Sequence, residues 1–278
     1  MGALLPRRHV LLTGATGNLG QKAAAALQAV NGLELTRIGR NGASDPAVVT
    51  ADLETYDDRW ARHFEGIDTV LHLAADPRAA GGWETVSRLN IDLALNVIRA
   101  ARHGGVKRFV FASSNWVLGG YRFGGETLTE ALPPWPVNPY GASKLFVERY
   151  GRMVSDDTGM AFLSLRIGYC QPGDNMPGPH MAFGLWGQQM WLGNEDWAQA
   201  VTKSATAEFS GFHAINVVSA NDGMRWSLAE GRDAVAYAPV QRHQPTMTLP
   251  VRVRDAAARF RESFFPSGAA TPVFGSRW

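Results

Sequence analysis

Short apolar runs alternate with longer amphipathic stretches over the first two thirds of the chain. The short runs predict β-strands near His9–Thr13, Leu33–Ile38, Ala47–Ala51, Asp68–Ala74, Arg108–Ser113 and Phe162–Ile167, with a seventh at Ala214–Val218. The longer stretches predict helices near Leu19–Val30, Asp57–Phe64, Trp83–His103 and Asn138–Thr158. Over 83–103 the apolar positions Val86, Leu89, Leu93, Val97 and Ala100/Ala101 recur every three or four residues, which makes one continuous buried stripe. Strand–helix alternation of this kind implies βαβ units and an α/β fold around a doubly wound parallel sheet. After Gly168 the texture changes to "CQPGDNMPGPHMAFGLWGQQMWLGNEDW", rich in Gly, Pro, Trp and Met. The expected division is therefore a first part over 1–168 and a small substrate lobe over 169–278. The two pack as one unit, because the strand near 214–218 returns to the sheet. Beyond Ala238, Pro239, Pro245, Pro250, Pro266 and Pro272 predict an irregular tail.

Composition narrows the classes. With 278 residues, 45% hydrophobic and 19% charged, the chain reads as an ordinary soluble protein. Its net charge of +2 and the absence of a dense basic block give no reason to expect nucleic acid. No run approaches the ~18 apolar residues of a membrane span. "HVLLTG" serves as a first strand rather than as a signal core, so the expectation is a cytoplasmic protein. The seven histidines lack ligand spacing, and no metal site is expected. Cys170, the single cysteine, reads as a buried small apolar residue.

"LLTGATGNLGQKAAAAL" places Gly14, Gly17 and Gly20 directly between a strand and a helix. In that context the three glycines make a sharp turn, a close backbone approach to a pyrophosphate and a tight helix packing. The helix N-terminus then offers free N–H groups to the phosphates. Thr16, Asn18 and Leu19 complete this turn, whose form is that of a Rossmann-type dinucleotide site. An acid at the end of the second strand would select NAD. Here Arg40 stands there, with Arg37 nearby and no acid before Asp45, which favours NADP while leaving NAD open. Asp52 and Leu53 are placed to meet adenine. His72, Leu73, Ala74 and Ala75, at the end of the fourth strand, are expected to line the cofactor with small side chains.

"NPYGASKLFVERY" holds Tyr140 and Lys144 four residues apart on a predicted helix, hence on one face. A phenol with a pKa of about 10 is a poor base. A neighbouring ammonium is expected to lower that value, so that Tyr140 takes a proton from a substrate hydroxyl while hydride leaves for nicotinamide. Just beyond a strand, Ser113-Ser114 supply a hydroxyl to orient the substrate oxygen.

TGATGNLG, HLAA, Asn90 in the following helix, FASSN and PYGASK together resemble the extended short-chain dehydrogenases/reductases, whose members include NAD-dependent epimerases and dehydratases. The resemblance spans roughly residues 9–220. It implies Ser114, Tyr140 and Lys144 as the catalytic set, with Lys144 also reaching ribose, Asn90 and Ile167 near the cofactor, and Ser113 as a cofactor-side or backbone-capping neighbour. It also implies a homodimer or higher homo-oligomer, built through the helices near 83–103 and 138–158. More narrowly, "FVFASSN", "LRIGYCQPGDN" and "WLGNEDW" resemble the uronate dehydrogenases, which oxidise a hexuronic acid at C1 with NAD. The chain departs from that pattern at Arg40, at Tyr169 in place of a serine, and in having no Lys or Arg between Arg166 and Lys203 to grip a carboxylate. Arg78 or Arg122 would have to substitute. Asp76, Ser114, Asn115, Trp116 and Tyr169 are the expected substrate residues. Trp116 and Tyr169 either stack on the substrate or pack in the core, and Trp186, Trp191 and Trp197 are expected as lobe packing or interface rather than a recognition box. The expectation is an NAD(P)-dependent oxidoreductase acting on a small polar molecule, a sugar or sugar acid. Its rivals are an epimerase or dehydratase that retains its cofactor, and a non-catalytic NAD(P)H sensor. The short C-terminal part argues against the first rival and the intact YxxxK pair against the second.

Overall fold

The computed structural model describes residues 8–41 and 45–264. Seven strands, all parallel, form one sheet: β1 (Arg8–Thr13), β2 (Leu33–Gly39), β3 (Val48–Thr50), β4 (Thr69–His72), β5 (Arg108–Ser114), β6 (Ala161–Ile167) and β7 (Phe212–Val217), in the order 3-2-1-4-5-6-7. The helices are α1 (Asn18–Gln28), α2 (Asp58–Ala61), α3 (Trp83–Val86), α4 (Leu93–His103), α5 (Pro139–Thr158), α6 (Gly184–Gln189), α7 (Asn194–Thr206), α8 (Ala229–Val235) and α9 (Leu249–Phe264). The central strands β4, β5 and β6 are buried at every position. Helices cover both faces, which explains why these strands read as continuous apolar runs rather than as alternating ones.

On one face Ala23, Ala24 and Leu27 of α1 pack with Trp197, Ala200 and Val201 of α7. On the other, Val97, Ile98 and Ala101 of α4 meet Val147 and Val154 of α5, with Trp60 and Phe64 at the margin. Phe109, Phe162 and Phe212 pair in register across β5, β6 and β7, and their rings stack at 5.1 and 6.0 Å. A third cluster, Leu118, Leu128, Trp186, Met190, Val218 and Trp226, lies beyond the carboxyl ends of these strands. Trp186, Trp191 and Trp197 are all buried. The chain runs outward from β1 to β3, then returns to β4 beside β1. That reversal opens a crevice at the carboxyl ends of β1 and β4, where ligands bind in open α/β sheets.

Two elements differ from the hydrophobic pattern. The helix over 83–103 is not uniformly α: Ser87–Asp92 form a π-helical turn between α3 and α4. The wider turn sets Asn90 inward and buried. Its Oδ1 accepts from Asp76 N at 2.8 Å, and its Nδ2 donates to Asp76 O and Ser143 Oγ. Among the described residues the tail is irregular over 239–248, and α9 follows. Pro250 falls in its first turn, where no intrahelical N–H bond is lost, and the residues after it are mostly good helix formers. Val251 is buried, and Asp255 pairs with Arg259 one turn on. Pro266 and Pro272 lie outside the described residues, as does the leading stretch 1–7. Among the described residues no helix is long and apolar enough to cross a membrane.

Candidate functional site

The glycine turn has little freedom to be anything else. Gly14 has φ +69°, and a Cβ there would lie 2.7 Å from Ala74 N. At Gly20 a Cβ would lie 2.0 Å from Gly14 O, so the first turn of α1 rests directly on the loop. No side chain caps α1 and its first turn holds no acid, which leaves its leading N–H groups to an anion. Bare backbone, close approach and a positive dipole end fit a dinucleotide pyrophosphate.

A groove of about 290 Å³ runs from this turn across the sheet edge. Gly14, Thr16, Gly17, Arg40, Asp52, Leu53, Leu73, Ala74 and Ala75 all line it, together with Gly39 and Glu54. Arg40 is 67% exposed and lies 3.3 Å from Glu54, which also pairs with Arg88 from the π-helical turn. Glu54 was not singled out from the sequence, although it directly follows the Asp52-Leu53 pair. Arg37 pairs instead with Asp45 at 2.9 Å. The Asn18 side chain donates to Cys170 O. Leu19 packs on the core and gives its carbonyl to Trp197 Nε1. A larger surface hollow of about 540 Å³, lined by Arg99, Arg102, His103 and Lys107, lies at the opposite ends of the strands and contains none of these groups.

At the other end of the crevice, Ser114 is the last residue of β5. It also caps the 3₁₀ turn Asn115–Tyr121, its Oγ accepting from Trp116 N at 3.2 Å. Asn138 caps α5 through Gly141 N at 2.6 Å, with Pro139 at the first helical position. The helix starts so close to the turn that a Cβ on Gly141 would lie 2.5 Å from Trp116 O. That approach brings the Tyr140 phenol near enough to the Ser114 hydroxyl for Ser114 to favour its ionised form. One turn further, Lys144 is 2% exposed; its Nζ donates to Ala112 O at 2.8 Å and lies 5.7 Å from the Tyr140 ring centroid. The three residues expected from the motifs are thus assembled.

Their electrostatics differ from the expectation. Burial pushes the Tyr140 phenol up to about 12, against the Ser114 hydroxyl, which lowers it, and with Asp76 adding to the rise. Burial likewise pulls Lys144 down to about 7, opposed by Asp76. Removing water disfavours both charged forms, and this outweighs the help an ammonium gives a phenolate. His72 hydrogen-bonds Thr13 Oγ1 at 2.7 Å, and burial followed by the Lys144 charge lowers it to about 3, so it is a neutral brace between β1 and β4.

Around Ser114 the walls are mixed. Asp76 is buried and grips Arg78 in a fork, with Nε–Oδ1 at 2.9 Å and Nη2–Oδ2 at 2.6 Å; this hydrogen-bonded pair holds the Asp76 carboxyl low. Asn115 is buried, and neither amide atom finds a partner among the described residues. Trp116 meets Phe183 edge-on at 5.0 Å, and Tyr169 meets the same ring at 6.1 Å. Phe183 escaped the sequence reading. Its φ of +69° is rare for an aromatic residue, and it shows only once the loop is folded. Arg122 donates to Phe183 O and lies 3.9 Å from Asp255 of α9. Ser113 caps no backbone group; it donates to Glu148 Oε1 at 2.6 Å, on the α5 side of the strand. Cys170 is half-buried rather than apolar in setting, with Lys22 Nζ at 3.5 Å and Asn175 beside it. Burial raises its thiol pKa. Among the described residues no group of three His, Cys, Asp or Glu could hold a metal.

Known proteins carry the same scaffold. A model of the NAD dependent epimerase/dehydratase family matches residues 10–170. The L-arabinose 1-dehydrogenase (NAD(P)(+)) of Haloferax volcanii is 32% identical over 247 residues, covering 83% of this chain and 96% of that one. The uronate dehydrogenase of Pseudomonas putida is 29% identical, over 97% of each chain. The crystal structure of uronate dehydrogenase from Agrobacterium tumefaciens aligns with a TM-score of 0.70 at 26% identity, covering 90% of this chain and 89% of that one. A variant of that enzyme in complex with NAD aligns with the same score.

Proposed function

The chain belongs to the NAD dependent epimerase/dehydratase family, and on that premise we propose that this NAD(P)-dependent oxidoreductase oxidises the anomeric hydroxyl of a free, uncharged sugar to its lactone. The observation that carries the reading is the gathering of Ser114, Tyr140 and Lys144 at the carboxyl end of β5, in the same sheet whose β1, β2 and β4 carboxyl ends form the groove of the glycine turn. Bound nicotinamide supplies the hydride acceptor. Tyr140 takes the proton of the reacting hydroxyl as general base. Ser114 holds that oxygen, and Lys144 favours the phenolate and reaches ribose. Asp76, Asn115, Trp116 and Tyr169 contact the sugar, with the part after Gly168 forming its lobe.

The charge balance supports an uncharged substrate. Both arginines that could grip a uronate carboxylate are committed, Arg78 to Asp76 and Arg122 to Asp255 and the Phe183 carbonyl. The wall made by Trp116, Tyr169 and Phe183 suits the apolar face of a pyranose.

Three finer elements belong to this reading. Arg40 and Arg88 favour NADP, with Glu54 as the counter-ion they would exchange for a 2′-phosphate. α4 and α5 pair with a second copy, through exposed Phe146 and Met153 on α5. The cytoplasm, where the cofactor pool lies, is the compartment. The test is a screen of free aldoses and uronates with NAD and NADP, reading nucleotide reduction. Reduction with aldoses supports the assignment, uronate-only activity overturns the substrate class, and isomerised sugar without net reduction overturns the reaction.

A further inference from the structure

One buried charged cluster takes no part in the chemistry above. Glu148 lies on α5 one turn beyond Lys144 and two beyond Tyr140, on the same face. Its carboxylate accepts from Ser113 Oγ at 2.6 Å, from Arg166 Nε at 3.1 Å and from Arg166 Nη2 at 2.9 Å, and all three residues are buried. Arg166 stands on β6 directly across from Ser113, and the next pair in that register is Ser114 with Ile167. A single carboxylate therefore joins the two strands and the helix around the site.

Apolar packing alone would hold α5 on the sheet, but it tolerates small slides and rotations. A forked guanidinium–carboxylate pair with a third, hydroxyl donor does not, because its bonds are short and directional. Ser113 and Ser114 point to opposite faces of β5. Tying Ser113 to α5 thus sets the height of the strand tip against the helix that carries Tyr140. We propose that Glu148, acting through Ser113 and Arg166, is a positioning residue that holds the Ser114 hydroxyl against the Tyr140 phenol. This rests on the catalytic assignment above.

The consequence is electrostatic as well as geometric. The Ser114 hydroxyl holds the Tyr140 pKa down, while burial and Asp76 push it up. The charges facing Tyr140 are Lys144 on its own helix and the Asp76–Arg78 pair from the loop after β4. If the tie is loosened, Ser114 withdraws from the phenol, which becomes harder to ionise.

The experiment uses the full chain with Ser113→Ala, Glu148→Gln and Glu148→Asp. Four measurements are made: kinetics (kcat and KM) against pH, NAD(P)H binding by fluorescence, thermal stability, and phenolate absorbance during alkaline titration, with Tyr140→Phe as the reference for the last. For Ser113→Ala the expected result is cofactor affinity within about twofold, kcat lower by about tenfold, and the acid limb of the oxidation profile moved to higher pH. The Tyr140 phenolate signal should move the same way in the cofactor-free protein. Glu148→Asp keeps the charge and should recover part of what Glu148→Gln loses. An unmoved limb and phenolate titration in Ser113→Ala overturns the proposal, even if the Glu148 variants prove too unstable to purify. So does a kcat that falls only in step with the cofactor-binding fraction. If wild type and Tyr140→Phe are equally active, the catalytic assignment itself fails instead.

Discussion

Replacing Lys144 with methionine should remove activity and, at neutral pH, make the fold more stable. Lys144 is 2% exposed, and burial lowers its pKa from 10.5 to about 7. Below pH 7 both folded and unfolded chains hold the proton, so folding carries the full cost of burying an ammonium. Above pH 7 the folded chain releases it while the unfolded chain does not, and stability rises with pH. At about 1.36 kcal/mol per unit, the shift corresponds to a ceiling of about 5 kcal/mol by pH 10.5, and to about 2.7 kcal/mol between pH 6 and 9. Tyr140 acts in the other direction, since its raised pKa stabilises below pH 10 and is lost towards pH 12. It is almost silent in the measured window. Methionine keeps the stem and cannot titrate, so urea unfolding of cofactor-free wild type and Lys144→Met at pH 6 and 9 isolates the lysine. The variant's advantage should shrink by about 2.7 kcal/mol from pH 6 to 9. An advantage that is constant with pH, or one that grows, would refute the burial of a titrating ammonium at this position.

Other consequences follow from the same geometry. Gly20→Ala puts a Cβ 2.0 Å from Gly14 O, backbone that cannot swing aside, so α1 must withdraw from the loop; calorimetry should show dinucleotide affinity down at least about tenfold and stability down by about 1–3 kcal/mol. Tyr140→Phe should lower kcat by about 10²–10⁴ while NAD(P)H still binds, and retained turnover removes Tyr140 as the base. Arg40→Asp should move the ratio of kcat/KM values for NADP and NAD towards NAD; a wild type that already prefers NAD contradicts the role given to Arg40.

Much of the site was readable in one dimension because its parts are local. The glycine turn follows from residues adjacent along the chain, and a four-residue spacing on a helix sets Tyr140 and Lys144 on one face. The strands of the sheet core were legible because burial on both faces demands unbroken apolar runs. The π-helical turn was not, because Leu89 and Leu93 at helical spacing read as plain α-helix; in the fold Leu89 leaves the buried stripe to line the groove, and Asn90 turns inward to the Asp76 backbone. Nor was α9, whose prolines outweighed the helix formers after Pro250.

What the chain determined by itself was the chemistry available: a dinucleotide turn, a serine, a tyrosine and a lysine in a known order. Only the folded molecule decided how those groups are tuned and what surrounds them. Burial sets the Tyr140 and Lys144 pKa values because desolvation depends on every neighbour, not on spacing. Phe183 joins Trp116 and Tyr169, Arg78 and Arg122 are taken by Asp76 and Asp255, and Glu148 binds Ser113 and Arg166. Except for Arg78 and Asp76, these contacts join residues far apart along the chain, and the parallel sheet with its crossovers brings them within reach.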